Sequence, residues 1–562
     1  MKEKIISALQ KITNLKKDLL FKLIEIPPDP SLGDYSFPCF TLAKSFKKNP
    51  HEIAIFLSQK ISPMKEIEKV QAVGPYINFF LNKKILMGLT LKKIFKEKEK
   101  YGSSFHNKEK IMVEFSQPNT HKAFHIGHIR GTSLGESISR ILEFSGNKVI
   151  RANYSGDTGM HIAKWLWCYQ KYHQKEKLRE DESWIAGIYV EAVRCLNEDP
   201  SLEKEVEEIN RELDSRKNKQ LQVLWEKTRR MSIDSWSSIY KELNTRFDVH
   251  FFESEFEQPG KQIAQELVKK SIAKISDGAT IIDFADFGYK DLGVLVFLRK
   301  DGTVLYAGKD LALAEKKFSE FNIQGSIYVV ADEQNLYLKQ IFKTLELMKF
   351  KNAGRLKHAS YGLVKLPWGK MSSRTGDNVI YSDFKKELIS HLKEEIKKRS
   401  KISEKETEKR ALILAVASLK YAMLKQDIAK IIIFNKEEAL SSEGNTGSYL
   451  LYTYARARSI LRKASYNSKK QYKINEITEK EKQLISKLSS FPEIVSSACR
   501  SLAPNLIANY SYGLAQIFNE FYHAEKVIGT EEEHFKLALV DAFSQVLKNS
   551  LNLLGINTLE QM

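Results

Sequence analysis

Cysteine is scarce in this chain of 562 residues: Cys39, Cys168, Cys195 and Cys499 are scattered, with no CxxC pair. That scarcity argues against a disulfide framework and offers no zinc-ligand spacing, so neither zinc nor a tightly bound cofactor is expected. Long apolar runs are missing as well. None approaches the ~18 residues of a membrane span, and the start has no signal-peptide pattern, so no membrane contact and a cytoplasmic location are expected. Acid falls short of base, with 70 Asp and Glu against 89 Lys and Arg and a formal charge of +19. The pI near 9.3 favours a polyanionic partner, although some genomes simply encode lysine-rich proteins. The length leaves room for roughly three to four domains with ample core.

What is present is a pair of short motifs far apart in the chain. In the first, Ile111, Met112, Val113, Glu114 and Phe115 read as a buried strand. A polar loop over 116–120 follows, with Pro118 and Asn119 as breakers. Beyond it, His125-Ile126-Gly127-His128 opens a stretch whose apolar spacing (Ile129, Leu134, Ile138, Ile141, Leu142) is helical. Residues three apart share a helix face, so both imidazoles stand at the helix start, where free amide donors and partial positive charge suit phosphate. Two donors there can stabilise charge that builds during displacement at an α-phosphorus, and Gly127 would let a flat base approach the backbone. A capped surface helix that happens to hold two histidines is the plain alternative.

The second motif, Lys370-Met371-Ser372-Ser373-Arg374, lies in a glycine-flanked loop over 369–376 that follows a strand-like stretch at 361–366. A basic, serine-rich loop can close over a triphosphate, or it can be an ordinary solvated turn.

Together, in this order, the two motifs resemble the signatures of class I aminoacyl-tRNA synthetases, and further blocks resemble the arginyl-tRNA synthetase family over nearly the whole chain. Around the first motif the resemblance covers residues 113–119 and 122–131. It continues in Asn153-Tyr154-Ser155-Gly156-Asp157-Thr158-Gly159 and in Leu305-Tyr306-Ala307 with Asp310-Leu311-Ala312. The stretches 444–461 and 504–527 resemble that family's anticodon-binding domain.

The resemblance implies an α/β fold: a Rossmann-like, doubly wound parallel-sheet catalytic domain over 109–390, split by a helical insertion at about 166–280. Strand signals at 281–284, 294–298, 304–307 and 327–330 fit its second half. A small α/β module over 1–108 precedes it, with a helical stripe at Ile5, Ile6, Leu9 and Ile12, a loop at Gly33-Asp34-Tyr35 and a strand over 70–81. In the family such a module contacts the tRNA elbow; a generic stabilising domain would look the same. From 391 to 562 the pattern is all-α, and Tyr452, Arg456 and Arg458, among Tyr454, Arg462, Lys463 and Tyr466, mix base with aromatic groups as tRNA recognition would want. Trp165, Trp167, Trp225 and Trp236 sit on amphipathic stripes and read as core.

By resemblance, Glu114, Tyr306 and Asp310 meet the arginine guanidinium, while Asn119 and Gln334, beside His125, hold the α-amino group. Glu114 also stands out independently, as an acid in an apolar strand that must meet either a cation or internal amides or a lysine. His125, Gly127, His128, Lys370, Met371, Ser372 and Ser373 would bind ATP, accompanied by magnesium without a dedicated protein cage. The usual second lysine of the loop signature falls at Ser373, so Lys122, just before the histidine motif, would share phosphate neutralisation with Lys370 and Arg374. Thr158, Met160 and His161 also depart from the family's residues. The reaction implied is attack of the L-arginine carboxylate on the ATP α-phosphorus, then transfer of the arginyl group to an arginine-accepting tRNA by a monomeric enzyme. Another class I synthetase, a nucleotidyltransferase of the same fold such as one acting on pantetheine, and a non-catalytic tRNA-binding paralogue are the competing readings.

Overall fold

A computed structural model of the chain describes residues 2–62, 64–103, 108–365, 380–468 and 472–562. The chain separates into two compact units. One contains residues 1–101, 460–490 and 516–546. Here the strands Tyr35–Pro38, Ile67–Val73 and Tyr76–Leu81 form an antiparallel sheet with the last of them central. The stretch 70–81, read from the sequence as one strand, is a hairpin: the chain reverses at Gly74-Pro75, where Gly74 has φ 54°. Tyr35, read as loop, opens the first strand. Helices Lys2–Thr13 and Pro50–Lys60 bury Ile5, Ile6, Leu9, Ile53 and Leu57 with Phe37, Ile77 and Phe79 of the sheet. That face is the apolar stripe of the sequence.

The second unit, residues 102–459, 491–515 and 547–562, is built on a five-stranded sheet. Its strands are β1 (Lys110–Glu114), β2 (Lys148–Ser155), β3 (Val249–Phe252), β4 (Gly325–Tyr328) and β5 (Leu356–His358), and every pairing is parallel. The order is β5-β4-β1-β2-β3. The chain winds outward from β1 to β3 and then returns to lay β4 on the other side of β1. At such a reversal the connections leave to opposite faces and open a crevice beyond the carboxyl ends of the two central strands. Glu114 and Tyr328, paired in register, are the last residues of β1 and β4 and mark that point. Helices α1 (Ile126–Phe144), α2 (Met160–Cys168), α3 (Tyr306–Phe321) and α4 (Asn335–Leu347) carry the connections. Met112, Ala152, Phe251, Leu311 and Ile341 belong to one buried cluster under one face of the sheet.

Several strand expectations change. The signals at 281–284 and 294–298 belong to a separate antiparallel sheet made of Lys274–Ser276, Ala279–Asp283 and Val294–Leu298. Val304 contributes an isolated bridge to Leu298, and the chain turns into α3 at Tyr306. Of those signals only 327–330 enters the parallel sheet. The stretch 166–280 is not wholly helical, because β3 lies within it after the helices Glu182–Glu198, Glu203–Ser215 and Lys219–Glu242. Trp165, Trp167 and Trp236 are buried among those helices, and Trp225 Nε1 donates to the Asp157 carbonyl at 2.9 Å. Among the described residues after 391 the elements are helices, except that Ile432–Ile433 pairs in parallel with Val364–Lys365.

Candidate active site

After Glu114 the chain passes through Ser116, Gln117 and His121 at φ 81°, 47° and 62°. Left-handed backbone at non-glycine residues is unfavourable and persists where the surroundings over-determine it. A buried polar network does so here. Thr132 Oγ1 donates to Ser116 Oγ at 2.8 Å, and the Ser116 and Tyr240 hydroxyls lie 2.9 Å apart. Asn153 Nδ2 donates to Tyr240 at 3.0 Å while its Oδ1 accepts from Gln117 N–H at 3.2 Å.

This loop delivers His125 to the start of α1 as its N-cap. His125 Nδ1 accepts from the Gly127 N–H at 3.1 Å, and His128 Nδ1 accepts from the His125 N–H at 3.2 Å. The two rings stack with centroids 3.9 Å apart. With each Nδ1 engaged as an acceptor, the hydrogen-bond pattern assigns the proton of each neutral ring to Nε2. Burial, and then the charge of Lys122, lowers His125 to about 4. Burial, His125 and Lys122 hold His128 well below the ordinary histidine range. Near neutral pH the pair is uncharged and keeps an Nε2–H donor on each ring. A Cβ at position 127 would approach the His125 ring to 2.9 Å, so the ring packs directly against the glycine backbone. Lys122 Nζ stands 5.2 Å from the Tyr189 ring centroid.

In the crevice lies a cavity of about 490 Å³, bordered by Glu114, Asn119, Tyr306, Asp310 and Gln334. These are the residues assigned to arginine by resemblance; His125 is not among the cavity's lining residues. Asn119 comes from the loop after β1, its Oδ1 accepting from Gly156 N–H at 3.2 Å and keeping a second lone pair. Tyr306 and Asp310 come from the first turns of α3, and Gln334 immediately precedes α4. Sequence reading missed other lining residues, Glu253, Tyr337 and Tyr154 among them.

The acids in this cavity are not equivalent. Glu114 is not left for a ligand alone: Lys317 Nζ, fully buried, pairs with its Oε2 at 2.5 Å. Two turns of α3 separate Asp310 from Lys317, which puts both on the face towards the crevice. Glu253 is held by Lys309 at 3.4 Å. Among the described residues Asp310 has no ion-pair partner; it accepts a hydrogen bond from the Tyr337 hydroxyl. Burial pushes its carboxyl up to about 7; the Tyr337 bond opposes this, while the negative charges of Glu114 and Glu253 add to it. Asp310 therefore shares its time between acid and carboxylate near neutral pH.

A guanidinium placed there favours the carboxylate, so binding should release a proton. Arginine affinity should rise with pH and level off above about 7. Below that it should fall towards about tenfold per pH unit. Calorimetric titration with arginine between about pH 6 and 8 reads this directly, and a flat profile would remove Asp310 from the guanidinium contact.

Asp157 proves structural. Its carboxylate, fully buried, accepts from Ser254 N–H at 2.9 Å and Ser254 Oγ at 2.7 Å and meets Arg229 Nε at 3.2 Å, tying the end of β2 to the end of β3. Lys370, Met371, Ser372, Ser373 and Arg374 lie outside the described residues. In the helix Gly447–Lys463, Tyr454 is buried and donates to Glu560, which also pairs with Arg458 at 2.8 Å, so Arg458 is engaged within the protein. Arg456 is exposed and Tyr452 half-buried.

Comparison with known proteins agrees with this geometry. The family model described as tRNA synthetases class I (R), catalytic domain, matches residues 90–435. The arginyl tRNA synthetase N terminal domain matches 1–81, and the DALR anticodon binding domain matches 450–562. An arginine–tRNA ligase of Clostridium botulinum is 35% identical over 566 residues, covering 100% of both chains. One from Clostridium acetobutylicum is 34% identical over 567 residues, also covering 100% of both. The solved arginyl-tRNA synthetase of Thermus thermophilus superposes with a TM-score of 0.84 at 26% identity, covering 100% of this chain and 99% of its own. No helix among the described residues is long and apolar enough to cross a membrane. The chain belongs to the arginyl-tRNA synthetases, class I ligases that activate arginine with ATP and pass it to tRNA.

Proposed function

We propose that the cavity at the β1/β4 reversal receives L-arginine with its guanidinium against Asp310, flanked by Tyr306 and by Glu114 with its Lys317 partner. Asn119 and Gln334 take the α-amino group, and His125 stands towards the carboxylate. The ATP α-phosphate lies over the start of α1, where His125 and His128 present Nε2–H donors next to Gly127. Lys122, Lys370 and Arg374 neutralise the phosphates, with Met371, Ser372 and Ser373 completing the nucleotide site. A carboxylate oxygen of arginine attacks the α-phosphorus and pyrophosphate leaves. The ribose hydroxyl at the tRNA terminus then attacks the adenylate carbonyl and AMP leaves. No protein nucleophile is needed: positioning and charge stabilisation supply the acceleration. Magnesium arrives with ATP, and the chemistry asks for no metal held by the protein.

The observation that carries this reading is Asp310, a half-buried carboxyl with no ion-pair partner among the described residues, in a cavity that already contains two paired acids. We assign residues 1–108 to the tRNA elbow and 391–562, with Tyr452, Arg456 and Arg458, to the anticodon arm of an arginine-accepting tRNA. The enzyme works as a monomer in the cytoplasm. Pyrophosphate exchange with each amino acid, run with and without tRNA, tests the assignment. Arginine alone should support exchange, and Lys122→Ala should lower it by on the order of 100-fold. Wild-type exchange in that variant would return the phosphate role to other residues.

A further inference from the structure

We propose that Cys168, His173 and Glu191 form a structural binding site for a divalent cation of the zinc class. A thiol, an imidazole nitrogen and a carboxylate oxygen of the first three lie within 4.8 Å of one another. No catalytic step uses them, and their spacing escapes the usual sequence signatures of zinc sites.

The backbone explains how they meet. Cys168 ends α2, and the chain continues as a π-helical turn, Tyr169–His173. In an α-helix, residues five apart stand about 140° apart around the axis. The wider π turn brings the fifth residue back to nearly the same side, and such turns recur at functional sites. Glu191 comes from the neighbouring helix Glu182–Glu198.

The imidazole is already oriented as a ligand. Its Nδ1 meets Glu176 Oε1 at 2.6 Å, and its Nε2 faces Glu191 Oε2 at 2.9 Å. A carboxylate on the far nitrogen is the usual outer support of a metal-bound histidine. Nitrogen and oxygen donors of a tetrahedral zinc lie about 3.3 Å apart, so Glu191 need withdraw by only a few tenths of an ångström. A thiolate and an imidazole select a borderline-soft cation over magnesium or calcium. On binding, the Cys168 thiol and the His173 Nε2 each give up a proton to solvent, and the sulfur and the nitrogen take the metal bonds.

The cation would pin the end of α2 to the helix Glu182–Glu198. That helix supports the histidine loop: Glu182 Oε1 accepts from the Phe124 N–H at 2.9 Å, and Lys122 lies over Tyr189. The competing reading is an imidazolium clamped between Glu176 and Glu191 with no metal.

Cobalt titration of the chelator-stripped full-length protein separates the two. A thiolate-to-cobalt charge-transfer band should saturate at one equivalent and be displaced by zinc. It should vanish in Cys168→Ser. Because Cys168 is buried and its serine variant could be destabilised, Glu191→Gln, on a half-exposed helix face, gives a second readout: cobalt affinity should fall about tenfold or more. Zinc should also raise the melting temperature of the stripped wild-type protein. Weakening of the band in either variant supports the site. No band in the wild-type protein, or a band unchanged in both variants, overturns it and leaves the imidazolium clamp.

Discussion

Replacing Asp310 with asparagine should raise the KM for arginine by about 100-fold or more while changing the KM for ATP little. The substitution preserves size and an acceptor for the Tyr337 hydroxyl, so the cavity keeps its shape. It removes the cavity acid that has no ion pair among the described residues. A guanidinium would then be taken from water into a site where Glu114 is already matched by Lys317 and Glu253 by Lys309. Losing one partner of an enclosed charge pair costs about 2–5 kcal/mol. The nucleotide end should be spared, because the histidine pair sits at the start of α1 and is not among the lining residues of that cavity. Steady-state exchange kinetics with each substrate varied in turn provide the check. An arginine KM within a few-fold of wild type would move the guanidinium elsewhere.

The second large effect is expected at His125, where one side chain does two separable things. Its Nδ1 caps α1 through the Gly127 N–H, and its Nε2–H is free to meet an oxygen. Asparagine is an equally good cap, with an oxygen that reaches the same amide, but its side chain is too short to place a donor where Nε2 stands. His125→Asn should therefore fold with a melting temperature close to wild type yet form adenylate about 100- to 1000-fold more slowly, the usual consequence of removing one preorganised donor. Calorimetric melting beside pre-steady-state adenylate formation separates the two roles. A large loss of stability with a normal rate in the surviving fraction would make His125 a structural cap only.

What could be read beforehand was local. The strand at 111–115, the helix opening at His125 and the acid inside an apolar strand are near-neighbour patterns, and the parallel sheet follows from them. What escaped depends on distant partners. Lys317 is 203 positions from Glu114, and nothing near Glu114 announces that the two pair. Glu253 and Tyr337 line the cavity from elements whose sequence shows only ordinary helix and strand chemistry. The antiparallel sheet at 274–298 was mistaken for part of the parallel one because alternation of apolar residues does not encode strand direction. Strand β3 was hidden by its length, being four residues long at the end of a helical stretch. Cys168 was set aside because no CxxC pair contains it, and a π turn changes what spacing means.

The reversal of strand order between β1 and β4 also has a consequence for biosynthesis. The walls of the amino-acid cavity come from stretches early and late in the unit, Glu114 and Asn119 on one side and Asp310, Gln334 and Tyr337 on the other, with the helical insertion spelled out between them. A ribosome must release the chain beyond α4 before any arginine can be gripped. Arginine bound there as proposed would act as a clasp across the two halves: at a hundred times its dissociation constant it would add about 2.7 kcal/mol to the folded state. On that placement the substrate would also secure freshly made copies of its own enzyme.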